Sequence, residues 1–364
     1  MEIIQQLVNG LDKGTAYALI ALGLSLIFGT LGVVNFAHGA LFMIGMFIAV
    51  SFQNLFNMGI EHPTLVVKDF LGNEKPAVVP FAEYLFGPEM GAWVINNNLW
   101  ISLIMAVPLM ALFGTFLDRV FIRLFYRRPH VQQILLTFGI AIVLQELIKV
   151  WFGGNTIEVV APAYMKGITD LGTWIGLDPG TLVYPTRRVV FVIFGLIVLA
   201  ATFSFIQFTR FGMVVRAGMQ DREMVDLLGI NIQRRFTIIF ALGAVIAGTA
   251  GVMYSTIEKP VYFIGMDYMV LSFIVVVVGG MGSLTGAVIS GFLLGILVSL
   301  SALWAQGTGF FGFKFFFDFV AGVMPSGLLN VFQKVDQLIV YVVAISVLLL
   351  RPRGLMGRKG IMED

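Results

Sequence analysis

The stretch AYALIALGLSLIFGTLGVVNFAHGALFMIGMFIAV, residues 16–50, decides how this chain is read. Two apolar runs flank VVNFAHG, residues 33–39, which holds an amide, an imidazole and a glycine. A helix crosses a bilayer with about 20 apolar residues, so each run is fit for lipid. An unpaired polar group among hydrocarbon costs roughly 0.5 to several kcal/mol. VVNFAHG is therefore either a turn at the membrane surface or a helix break lining a cavity. In the first case Asn35 caps the second helix and His38 is structural. In the second, Asn35 offers both donor and acceptor to a solute, and Gly39 permits backbone that a regular helix forbids.

The rest of the chain has the same character. Of 364 residues, 58% are hydrophobic and 12% charged, with a mean hydropathy of +0.93. A soluble domain carries about 25% charge. The pattern predicts an all-α polytopic membrane protein of about eight or nine transmembrane helices, some broken or re-entrant. Spans are expected at 14–34, 36–56, 99–117, 131–152, 188–208, 236–256, 269–280, 284–304 and 337–350. The absence of cysteine excludes disulfides and thiolate metal sites. His38, His62 and His130 are scattered, so no metal site is expected. The first 13 residues carry acids and no basic run, which predicts a short interfacial helix rather than a cleaved signal peptide.

Arginine sets the orientation. Arg119, Arg123, Arg127 and Arg128 follow the third span; Arg210, Arg216, Arg222, Arg234 and Arg235 follow the fifth; Arg351, Arg353, Arg358 and Lys359 follow the last. All three clusters fall on one side, which the positive-inside rule makes cytoplasmic. Segments 53–98, 153–187 and 305–336 then lie outside, with the N-terminus. Segment 53–98 has acids, prolines and NNN, so it reads as an outer insertion of loops and short elements. Segment 305–336 is rich in phenylalanine but broken by Gly and Pro, which suggests an interfacial or re-entrant piece.

Three further constellations stand out. Gly279, Gly280, Gly282 and Ser283 break an apolar run, and GAVISG follows as GALFMIG follows the first break. That echo is compatible with an internal repeat framing a translocation path, or with a plain tight turn. The loop 209–235 predicts a helix over 217–228 bearing Asp221, Glu223 and Asp226, with Gly229 as its cap and Asn231 beyond. It is either a docking helix for a partner protein or a solvated connector. On the fourth span, Glu146 and Lys149 are spaced to pair, and Gln145 and Thr137 are candidates for a polar rim of the path. Other chemistries find no support. There is no Gly-Lys dipeptide for a phosphate-cradling loop, no HExxH, no mid-span carboxylate pair and no arginine ladder. An ion-coupled secondary transporter or an intramembrane enzyme would need such groups; a channel would not.

Residues 16–45 resemble the N-terminal signature of the bacterial branched-chain amino acid ABC transporter permeases, the LivH/LivM family. The likeness continues through RPHVQQILLTFGIAIVLQE at 128–146, the segment 216–254, and VVVVGGMGSLTGAVISGFLLG at 275–295. VVNFAHG and the two-glycine GGMGS fit the LivH-type subunit. The resemblance implies a non-catalytic permease of the bacterial inner membrane, paired with a second, LivM-like permease. Two cytoplasmic ATPases would bind the ATP, and a periplasmic solute-binding protein would deliver a branched-chain or other small hydrophobic amino acid. Relatives also carry urea, short amides and other small acids. No cofactor of its own and no nucleic acid is implied. The resemblance also makes 209–235 the coupling segment, with Arg216, Asp221, Glu223, Asp226, Gly229 and Asn231 facing the ATPase. Ala40, where an acid is common, and the long outer segment depart from the pattern.

Overall fold

Hydrocarbon offers no hydrogen-bond partners, so each apolar run must close its own backbone bonds, and each does so here as a helix. The computed structural model describes residues 2–68, 74–126, 128–174, 176, 178–220, 222–305 and 338–357. The helices long and apolar enough to span are α1 (Glu2–Leu31), α2 (His38–Asn57), α5 (Asn98–Val120), α6 (His130–Phe152), α8 (Thr186–Phe208), α11 (Ile232–Tyr254) and α13 (Leu284–Ala305). Two shorter apolar helices, α12 (Ile264–Gly279) and α14 (Leu338–Leu350), complete the set among the described residues. Each of the nine expected spans has a helix at its place, and seven of these are long and apolar enough to cross a membrane. Segment 306–337, Arg127, Arg358 and Lys359 lie outside the described residues.

Three boundaries differ from expectation. The N-terminal residues form no separate interfacial helix but the first turns of α1, because Asp12, its charge in mid-helix, finds a partner. Arg188 of α8 lies 3.1 Å from its carboxylate, and Asp12 is 3% exposed. The Arg188 guanidinium sits 5.8 Å from the Tyr184 ring, whose hydroxyl donates to the Val8 carbonyl at 3.2 Å. Burial pushes the Tyr184 phenol up to about 12, so it remains a donor. Second, the break after α1 is six residues long, 32–37. Third, the outer insertion contains an antiparallel hairpin, β1 (Gly59–Lys68) with β2 (Glu74–Pro80), before α3 (Phe81–Phe86) and α4 (Pro88–Asn96). A second small hairpin pairs β3 (Ile168–Asp170) with β4 (Val183–Pro185), with the single turn α7 (Leu171–Trp174) between them.

The bundle is wound about α1, which packs along α13 and against α11, α12 and α8. Lipid gives helices no hydrophobic reason to associate, so close packing by small residues does that work. Gly10, Gly14 and Ala18 of α1 lie against Ile296, Gly295 and Gly291 of α13. The α2–α11 crossing is tighter still: a Cβ at Gly45 would overlap the Gly248 carbonyl, and one at Gly251 the Phe42 carbonyl.

The two ends of the bundle differ chemically. Trp93, Trp100, Trp151 and Trp174 gather at one end, where Gln53 bonds residues 158 and 160 and Trp100 bonds Tyr164. At the other end Arg119, Arg123, Arg128, Arg210, Arg234, Arg235, Arg351 and Arg353 gather around the close of α5, the segment 210–235 and the C-terminal segment.

Gly45→Leu forces the α2–α11 crossing apart, which costs about 1–3 kcal/mol. Gly139, mid-helix in α6 with nothing within 4 Å of a Cβ, serves as the control. The melting temperature of the detergent-solubilised protein is expected to fall for Gly45→Leu and hold for Gly139→Ala.

Candidate functional site

Gly32, at φ 65°, turns the chain back after α1. The next residues do not lie flat at the end of the bundle. They climb back inside it, because a Cβ at Gly23 would sit 2.7 Å from the His38 ring. Gly23 is eight residues before Leu31, about 12 Å up the helix axis. The segment 32–37 is thus a re-entrant limb, and α2 starts within the bundle. Val33, Asn35 and His38 are all fully buried.

Irregular backbone at such depth survives only where protein supplies the partners. Thr137 of α6 supplies one of them. Its hydroxyl oxygen accepts from the Phe36 N–H at 3.1 Å, while its single proton is shared among the Gln133, Ile134 and Val34 carbonyls at 3.0, 3.2 and 3.3 Å. Asn35 supplies another, as its Oδ1 accepts from the Ala37 N–H at 3.0 Å. Asn35 is therefore not the cap of α2. It precedes the Ala37 N-cap by two residues, so its oxygen closes a local Asx turn instead, and Ala37 itself has no side-chain cap. The Asn35 Nδ2 has no partner among the described residues, and the Ile20 carbonyl faces the His38 ring without a hydrogen bond of full geometry. Gly39 does admit a neighbour: its missing side chain is filled by Gly265 and Met269 of α12. Phe36 points the other way, 6.3 Å from Phe138 of α6 and 5.4 Å from Phe273 of α12.

The second break lies at the same end as the close of α1, with Gly282 beside Gly29. Its form is different. Gly280 and Gly282 have φ of 102° and 81°, a tight turn that only glycine makes cheaply. The C-terminal segment docks on it. The N–H groups of Leu355 and Met356 donate to the Val278 and Gly279 carbonyls at 2.8 and 3.0 Å. A Cβ at Gly280 would strike Gly357. Ser283 caps α13, its hydroxyl accepting from the Gly286 N–H at 3.1 Å. Of the remaining path candidates, Gln145 is half-buried on α6, and Lys149 pairs with Glu146 at 3.4 Å while lying 5.1 Å over the Tyr262 ring.

The charged loop folds as two helices, α9 (Arg210–Gln220) and α10 (Arg222–Leu227), where one was expected. Asp221, between them, lies outside the described residues, while Glu223 and Asp226 fall on α10. Gly229, at φ 77°, ends the second helix. Asn231 caps α11, accepting from Arg234 N–H at 3.0 Å, and Arg216 donates back to the Ile206 and Gln207 carbonyls at the close of α8. These two side chains hold the elbow. Among the described side chains on and just after α10, Met224, Leu227 and Leu228 are exposed.

Sequence reasoning passed over three carboxylates. Asp12 pairs with Arg188, as above. Asp118 is fully buried and accepts from Thr237 at 2.6 Å and from Tyr126. Asp267 lies exposed in the first turn of α12. The signal available for each was a single acid inside an apolar run, which is costly in lipid unless paired or facing a path.

A bundle of this kind, wound on one buried helix and interrupted by an internally bonded re-entrant limb, defines a polytopic α-helical membrane protein of the permease type. The chain belongs to the family described as branched-chain amino acid transport system / permease component, whose profile matches residues 6–348. Its relatives include the high-affinity branched-chain amino acid transport system permease proteins LivH of Salmonella typhimurium and of Escherichia coli K12. Each is 28% identical over 98% of this chain and 96% of the relative. The corresponding protein BraD of Pseudomonas aeruginosa is 28% identical over the same shares. No solved structure matches the chain.

Thr137→Val keeps the shape of the side chain but strands the Phe36 N–H, which costs about 1–3 kcal/mol. The expected outcome is a lower melting temperature for Thr137→Val and near-recovery for Thr137→Ser, read on the purified protein.

Proposed function

We propose that this chain is the permease subunit of an ATP-driven importer of branched-chain amino acids in a bacterial inner membrane. In this reading it forms half of the translocation path beside a second, related permease. The basic end faces the cytoplasm and the tryptophan-bearing end the periplasm, as the positive-inside rule and the aromatic belt both favour. The N-terminus is then periplasmic and the C-terminus cytoplasmic. The solute is taken from the names of the LivH and BraD relatives.

The observation that carries the ATP-driven part is the elbow at the basic end. Arg216 ties α9 to the close of α8 and Asn231 caps α11, on either side of α10, while Met224, Leu227 and Leu228 are exposed. An apolar edge at such an elbow suits a groove on a cytoplasmic ATPase. ATP closing the ATPase pair would move this edge, and through α9 and α11 the bundle. The shift between outward-open and inward-open forms follows from the different affinities of ATP and of the loaded binding protein for the two. The chain itself needs no cofactor and performs no covalent step in this scheme. The insertion 53–98 sits at the periplasmic mouth, where it would meet the binding protein or the second permease. A path set by broken helices offers N–H and C=O groups to a zwitterion without fixed charge, so it binds weakly enough to release.

The test is uptake of radiolabelled leucine by proteoliposomes holding both permeases and both ATPases, with binding protein added outside. Uptake is expected to require ATP within. Leu227→Glu with Leu228→Glu, or Gly229→Pro alone, is expected to leave the complex inserted yet abolish stimulation of ATP hydrolysis by the loaded binding protein. ATP-independent uptake, or full coupling in these variants, would contradict the reading.

A further inference from the structure

The elbow and the re-entrant limb belong to different helices, yet a run of side-chain bonds joins them. The run begins at the start of α11, where Asn231 caps the helix and the elbow ends. Within the next two turns Thr237 donates to Asp118 Oδ2 at 2.6 Å, which pins α11 to the close of α5. The other oxygen of Asp118 accepts from the Tyr126 hydroxyl, and the Tyr126 ring meets Phe236 edge-on at 6.5 Å. Arg123 donates to Gln233 in the first turn of α11. The 3-10 turn Ile122–Phe125 is therefore fastened to α11 at two points, through Asp118 and through Gln233.

From the turn the run passes to α6. Gln133, buried in the first turn of that helix, donates its Nε2 to the Phe125 and Arg128 carbonyls at 3.0 and 2.9 Å. One turn further along, Thr137 accepts from the Phe36 N–H of the limb. Contact by itself does not couple two sites; rigid elements that shift as units carry coupling. α6 is such an element. It packs mainly on α2 and on the 3-10 turn. At its far end the Phe152 ring lies 4.8 Å from the Phe47 ring of α2, which leaves the near end to follow the turn. The limb is suited to respond, because its irregular backbone is held by the Thr137 and Asn35 side chains and few bonds must change for it to shift.

We infer that Asp118 and Gln133 are positioning residues that carry the motion of the elbow through α6 to the re-entrant limb. The inference rests on the importer reading above and adds the route by which the ATPases reach the inside of the bundle. Closure of the ATPase pair moves the start of α11. The knot of Asp118, Thr237 and Tyr126, with Arg123 on Gln233, moves the 3-10 turn with it. Gln133 passes that displacement to α6, and Thr137 draws Phe36 along. Neither Asp118 nor Gln133 touches solute in this scheme.

Two independent cuts test the route. Tyr126→Phe with Arg123→Ala keeps the ring and the Asp118–Thr237 bond but frees the turn from α11. Gln133→Met frees α6 from the turn. Thr202→Val is the control, since its hydroxyl bonds the Val198 carbonyl of its own helix, α8. In the full complex in proteoliposomes, both cuts are expected to leave ATP hydrolysis at the unmutated rate and to lower leucine uptake per ATP hydrolysed by about fivefold or more. All three substitutions together should lose no more than the worse cut, because both sever one route. Thr202→Val should keep the unmutated ratio. A purely structural role would lower uptake and hydrolysis in parallel and leave the ratio unchanged. In nanodiscs, trapping the unmutated complex with ATP and vanadate should change amide exchange at Phe36 several-fold, and neither cut should show that change. An unmutated ratio in both cuts, or a full response at Phe36 that survives them, would overturn the inference. ATP-independent uptake by the unmutated complex would overturn the importer reading, and the inference with it.

Discussion

The bond that the Thr137 hydroxyl accepts from the Phe36 N–H is what the re-entrant limb depends on. A chain that leaves a helix inside a membrane protein exposes N–H and C=O groups where no water is assured. The limb 32–37 does so, and one hydroxyl from α6 together with the Asn35 amide oxygen takes up the N–H groups of Phe36 and Ala37. With the limb held, α2 starts deep, next to Gly265 of α12, and crosses α11 at Gly45 and Gly248. Its other end reaches the aromatic face, where Gln53 ties down the segment after α6. The same hold points Phe36 outward between α6 and α12.

Two kinds of polar site coexist in this apolar protein. Asp12 with Arg188, and Asp118 with Thr237 and Tyr126, are paired and join one helix to another. Breaking either would leave a buried group without its partner, so both belong to the frame. Asp267 is of the other kind, exposed and unpaired among the described residues. The GGMGS turn, rich in small residues, serves architecture: its glycines make room for the C-terminal segment, which covers the last carbonyls of α12.

Much of this was legible in the sequence. Helices follow from run length, and their order and places were read within a few residues, though two of the nine are shorter than a span. Thr137 was marked for a polar rim of the path, and in the structure it holds the Phe36 N–H. What the sequence could not convey was depth. VVNFAHG has the same composition whether it lies at the surface or climbs back along α1, because re-entry is decided by a threonine 102 positions beyond Asn35. For that reason Asn35 looked like a helix cap and is a turn-former. The Asp12–Arg188 pair was hidden likewise, its partners 176 residues apart. The charged loop reads as one helix by propensity, yet it folds as two with Asp221 between them.

The central claim is that the limb is folded backbone held from within, and amide hydrogen exchange tests it most directly. In lipid nanodiscs, the amides of Phe36 and Ala37 should exchange as slowly as those inside α2. The surface loop at 153–156 should exchange far faster. Fast exchange at Phe36 and Ala37, matching that loop, would show that the segment is an open surface turn and would contradict the account.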